Sequence, residues 1–94
     1  MTEQQICEKA IDTFGKKSQL LKCAEKCNDL SKSIIKFVNG SGPTSEIEKG
    51  LAEVEITAKQ IRLMLNEARV NGHKTYKLHM LETILALAGD DQHE

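Results

Sequence analysis

Two stripes of polar residues at helical spacing carry most of the chemistry open to this chain. One is Lys22, Lys26, Asp29 and Ser33; the other is Gly50, Glu53, Thr57 and Gln60. Steps of three and four put each set on one face of a helix. Facing one another, they would line a polar groove able to take a phosphate-bearing ligand through Lys26. The plainer reading is a solvated face, with Lys22–Glu25, Lys26–Asp29 and Asp29–Lys32 as local i,i+3 pairs. Thiol and imidazole chemistry is poorly supplied. Cys23 and Cys27 lie one turn apart but on an apolar stripe, where free cysteine is commonly a small buried hydrophobe. His73, His79 and His93 share no ligand spacing with each other or with the cysteines. The segment Asn39-Gly-Ser-Gly-Pro43 lacks the lysine and the strand context of a phosphate-binding loop.

The elements that must position these residues are helices. A first helix is expected over about Glu3–Thr13, with Ile6, Cys7, Ala10 and Ile11 on one side and Phe14-Gly15 ending it. A second starts near Ser18 as N-cap and runs to the breaker at Asn39–Pro43. Its apolar seam is Leu20, Cys23, Cys27, Leu30, Ile34 and Phe37. A third opens on Ser45 and Glu48 as a capping box and ends near Asn66, with the seam Ile47, Leu51, Val54, Ala58, Ile61 and Leu65. Both seams alternate threes and fours, as in coiled coils. Asn71-Gly72 marks a second break before a fourth helix over about Lys74–Leu87, with Leu78, Leu81, Leu85 and Ala88 on one face. The expected fold class is all-α: a four-helix subunit with a long antiparallel helical hairpin, level at Asp29 and Glu53. Residues 1–88 form a single domain, and 89–94 an acidic, frayed tail.

Bulk properties narrow the function. Ninety-four residues, 39% of them hydrophobic, supply a thin core for a monomer. Pairing two hairpins into a helical bundle would cover the seams, so a homodimer is expected. A net charge of −1 gives no electrostatic case for nucleic acid or an anionic membrane. The only aromatics are Phe14, Phe37 and Tyr76, too few for a base-stacking platform. The lysines at 16, 17, 22, 26, 32 and 36 read as a solvated basic face. Three cysteines without a paired framework read as reduced thiols in a cytoplasmic compartment. No apolar run approaches a bilayer span, and the polar start is no signal peptide.

Over most of residues 5–82 the chain resembles the small MazG-like nucleotide pyrophosphohydrolases of the all-α NTP pyrophosphatase superfamily. The stretches that carry the likeness are Ala10–Leu21 (AIDTFGKKSQLL), Glu25–Lys32 (EKCNDLSK) and Gly50–Ile56 (GLAEVEI). That family leads a Trp-Gly…Gln segment into Glu-Glu-x-Ala-Glu-Leu and follows with Glu-Ile-Ala-Asp-Val. Phe14 stands where the family has tryptophan.

The resemblance implies Mg²⁺ held by an ExxE pair on one helix and an ExxD pair on the next, clamping a triphosphate and activating water. Carried over, the first pair falls on Lys26 and Asp29 and the second on Gly50 and Glu53. One ligand has become a cation and one has vanished. The expectation is therefore a catalytically degenerate module binding a nucleotide or a protein. Its ligand residues would be Lys22, Lys26, Asp29, Gly50, Glu53 and Thr57, with the Lys26 ammonium in the metal's place between Asp29 and Glu53. The alternative is a working pyrophosphohydrolase with Mg²⁺ on a rearranged set of Glu25, Asp29 and Glu53. A third reading is a helical adaptor whose seam docks a foreign helix.

Overall fold

A computed structural model describes residues 1–92 as four helices with no strand among them. They are α1 (Glu3–Phe14), α2 (Lys16–Val38), α3 (Thr44–Met64) and α4 (Glu67–Gln92). The all-α expectation is met.

The helix ends differ from the sequence reading in instructive ways. Gly15 alone separates α1 from α2, at φ 92° and ψ 152°. That conformation is essentially reserved for glycine, so one residue turns the chain where a longer linker was expected. Ser18 consequently lies in the first turn of α2 and is not its cap. α3 begins after an extended Pro43, and no side chain caps it, so the Ser45–Glu48 box does not form. A capping box does form at α1, between Thr2 and Gln5.

The expected break at Asn71-Gly72 is inside α4. The helix starts earlier because Asn66 Oδ1 accepts the Arg69 N–H at 3.0 Å, capping the first turn. Asn71 is held in turn by Arg62, whose Nη1 donates to its Oδ1 at 2.9 Å. α4 also continues past residue 88 to Gln92, so the expected boundary there is no structural break. The rest of the expected tail, residues 93–94, lies outside the described residues.

The main packing is α2 against α3, with α1 across both. Lys36 lies beside Gly42, Leu30 beside Gly50, and Lys26 beside Glu53, so partners on α2 recede as α3 advances. Gly50 is buried; a Cβ there would stand 3.3 Å from Leu30 Cδ1 and 3.5 Å from Leu30 Cα. Its missing side chain lets the two helices approach closely.

The rotation of the helices is the largest departure from expectation. On α2 the covered positions are Gln19, Cys23, Lys26, Leu30 and Ser33, while Leu20, Ile34 and Phe37 of the expected seam are exposed. On α3 the buried residues are Gly50, Thr57 and Gln60; of its expected seam, Ile47, Val54, Ala58 and Ile61 are half-buried, and Leu51 and Leu65 are exposed. The α3 stripe thus turns inward, and of the α2 stripe Lys26 and Ser33 do, while Lys22 and Asp29 stay exposed. Among the described residues only Cys7 and Cys23 are buried hydrophobics. α4 meets the rest of the chain through α3 alone. The radius of gyration is 17.2 Å, against about 12 Å for a compact chain of this length.

Two substitutions check these local assignments. Gly15→Ala forces a Cβ into a glycine-only conformation and is expected to destabilise by about 1–3 kcal/mol. Asn66→Ala removes the α4 cap and is expected to cost about 1 kcal/mol. Thermal melts followed by circular dichroism read both, and Ser18→Ala serves as the control that changes little.

Candidate functional site

Parts of the two stripes, with Glu46 and Lys49, make a groove of about 280 Å³ lined by Lys26, Asp29, Ser33, Glu46, Lys49, Gly50 and Glu53. α2 supplies the first three at steps of three and four, and α3 supplies the rest. The volume is at the small end for ligand sites.

The central contact is Lys26 Nζ to Glu53 Oε2 at 3.1 Å, with the side chains 22% and 34% exposed. Glu53 holds the Lys26 pKa above its ordinary 10.5, first by the hydrogen bond and then by its charge; Glu25 and Asp29 add smaller pulls. The expected Lys26 pairing is therefore realised with Glu53, across the two helices. Asp29 makes no ion pair with it. None of the local pairs Lys22–Glu25, Lys26–Asp29 and Asp29–Lys32 closes; the ion pairs among the described residues are Lys26–Glu53, Lys59–Glu3 and Arg62–Glu67.

Three of the expected site residues do not line this groove. Thr57 is buried, and its hydroxyl donates to the carbonyls of Glu53 (2.9 Å) and Val54 (3.2 Å), bracing α3 from within. Lys22 and Glu25 line a separate, wider concavity of about 610 Å³ with Phe14, Lys17, Ser18 and Leu21. Phe14 is thus away from the Lys26–Glu53 groove and 65% exposed, so it fills no core position.

Glu46 and Lys49 were missed. The signal was present: 46, 49, 50 and 53 step by three, one and three along one face of α3. Gln60 was placed on the stripe but given no role. It is buried, and its Oε1 has no hydrogen-bond partner.

The carboxylate set expected for Mg²⁺ is not assembled among the described residues. Asp29, Glu46 and Glu53 share the groove, yet no three of the described histidines, cysteines, aspartates and glutamates converge closely enough to hold a metal ion. Glu25 faces the other concavity, so the set Glu25, Asp29 and Glu53 is not assembled. Mg²⁺ demands near-octahedral oxygen ligands, and Lys26 already occupies one of the Glu53 oxygens.

The thiols offer no substitute chemistry. Burial, then the charge of Glu3, pushes the Cys7 pKa up, and its Sγ lies 3.9 Å from the Ile56 carbonyl. Desolvation and then Cys23 raise that of Cys27. Raised thiols are protonated at neutral pH and make weak nucleophiles and ligands. No described helix is long and apolar enough to cross a membrane.

Comparison with known proteins adds no relative: no family model, curated protein or solved structure matches the chain.

The ion pair makes a signed pH prediction. The pKa of Lys26 is raised on folding, so the pair's contribution is complete below the unfolded value and is lost as pH climbs through the folded one. Lys26→Ala is expected to melt lower than the natural protein at neutral pH. The gap should stay constant through mildly alkaline solution and narrow above about pH 10.5. Paired melts across that range read it.

Proposed function

We propose that the chain is a catalytically degenerate MazG-like protein, a homodimeric binding or regulatory module built on an antiparallel helical hairpin. The observation that carries the reading is the 3.1 Å contact of Lys26 Nζ with Glu53 Oε2, which puts a fixed cation where the family's metal would join two helices. An ammonium neutralises the carboxylate but cannot bind and acidify water as a metal ion does. The groove can hold a partner, but it has no means of making a nucleophile.

Charge favours a protein segment over a bare nucleotide in that groove. Lys26 and Lys49 stand against Asp29, Glu46 and Glu53, so a polyphosphate meets a net negative lining without a metal to screen it. A nucleotide is better served by the concavity at Phe14, where Lys17 and Lys22 outnumber Glu25. The magnesium-dependent pyrophosphohydrolase reading on Glu25, Asp29 and Glu53 has no comparable support. The exposed seam residues Leu20, Ile34, Phe37 and Leu51 favour a second copy over a foreign helix, because both chains then bury the same shortfall.

Two assays on the natural protein test this. Pyrophosphate release from a panel of NTPs and dNTPs with Mg²⁺ or Mn²⁺ is expected to stay at background, and metal-dependent release would overturn the proposal. Thermal shift with the same nucleotides, with and without metal, then separates the ligands. A metal-independent rise would assign the Phe14 concavity to nucleotide, and no rise leaves the protein ligand.

A further inference from the structure

The distal half of α4 is built to be buried, yet among the described residues no other helix covers it. From Glu67 to Lys77 the helix is largely polar, with Glu67, Arg69, His73, Lys74 and Lys77. From residue 78 to 88 apolar residues take over, and Leu78, Leu81, Ile84, Leu85 and Leu87 are all about half exposed or more. At 100° per residue Leu78, Leu81, Ile84, Leu85 and Leu87 sweep about half the helix circumference, a face as wide as a core helix presents. The gradient runs opposite to what a helix folded on its own hairpin needs. The end that touches α3 does so through one apolar residue, Val70, and the Asn71–Arg62 hydrogen bond; the end that leaves is apolar over several turns.

The area tells the same story. The chain exposes 7437 Å². A folded monomer of 10.5 kDa exposes about 5,400 Å² by size scaling. The excess, about 2,000 Å² per chain, is of the size that obligate dimers bury. Loose surface loops do not account for it, because the helices are regular throughout the described residues.

We propose that α4 is an arm whose distal half, residues 78–88, packs on a second copy of this chain, with the partner's arm returning the contact about a two-fold axis. The occupant is the chain itself because reciprocal packing relieves the same exposed area on both copies and closes on itself. At 26 residues α4 is about 39 Å long, enough to carry its apolar turns off its own hairpin and onto a neighbour. The arm rests on the dimeric reading above but goes beyond it. That reading needs only the hairpin seams to meet, whereas this one assigns a separate element to the interface.

Sedimentation or light scattering on the full chain tests it, with Leu81→Glu/Leu85→Glu on the arm and Ile34→Glu on the hairpin. The natural protein is expected to have a two-chain mass. The arm variant is expected to fall to one chain at micromolar concentration while keeping its helical circular dichroism. A one-chain mass for the natural protein overturns both the arm and the dimer. A two-chain arm variant beside a dissociated Ile34→Glu overturns the arm and leaves the seam dimer standing. Should the arm variant lose its helicity, hydrogen exchange on the natural protein decides. Amides of residues 78–88 that exchange slowly, and faster on dilution, support the arm. Rapid exchange at every concentration overturns it.

Discussion

The contact of the two long helices takes in much of the α3 polar stripe and part of that of α2, and the rest of the molecule follows from that rotation. Gln19, Lys26, Ser33, Thr57 and Gln60 turn toward the α2–α3 contact, and Gly50 lets the backbones close over Leu30. Polar groups taken out of water must find partners or cost stability. Lys26 finds Glu53, Thr57 turns its hydroxyl onto its own helix, and Gln60 Oε1 is left without one. Leu20, Ile34 and Phe37 of α2 and Leu51 of α3 are left exposed. A chain arranged this way stabilises itself weakly and presents its best burial to something else.

The same rotation decides what the groove can do. An interior face that carried four carboxylates would need divalent cations to stay together, because like charges at short range repel. Here Lys26 faces Glu53 and Gly50 has no side chain, so the helices close on an ion pair. Lysine is a compact single charge with three donors and no acceptor. It satisfies Glu53 and holds the helices level, and it leaves the groove with carboxylates that repel a polyphosphate. The Lys26–Glu53 contact that joins the helix pair also takes up a carboxylate oxygen that a metal ion would need.

Much of this was legible in the residues, for physical reasons that differ from place to place. The helix count and the Asn39–Pro43 break were readable because glycine and proline act locally. The pairing of Lys26 with Glu53 was expected, but the register was read about one turn off, with Asp29 level with Glu53 where the structure has Lys26. The rotation was not readable. Apolar spacing reports which face wants burial, and it cannot say whether the burial comes from the same chain or from another. Local signals failed where a stronger neighbour intervened. Asn66 capped α4 early and Arg62 secured Asn71, so the Asn71-Gly72 pair stayed helical. Gly15 turned the chain unaided, which left Ser18 inside α2. Glu46 and Lys49 lay on the visible stripe but outside the stretches that carried the family likeness.

The most direct test of a lysine standing in the metal's place is a Mn²⁺ titration of the natural protein at neutral pH, read by the electron paramagnetic resonance of the free ion. The free-ion signal is expected to rise with added Mn²⁺ as it does in buffer, because Lys26 holds Glu53 and no three carboxylates converge among the described residues. Stoichiometric loss of the signal, with one or more ions bound per chain at sub-millimolar Mn²⁺, would contradict it.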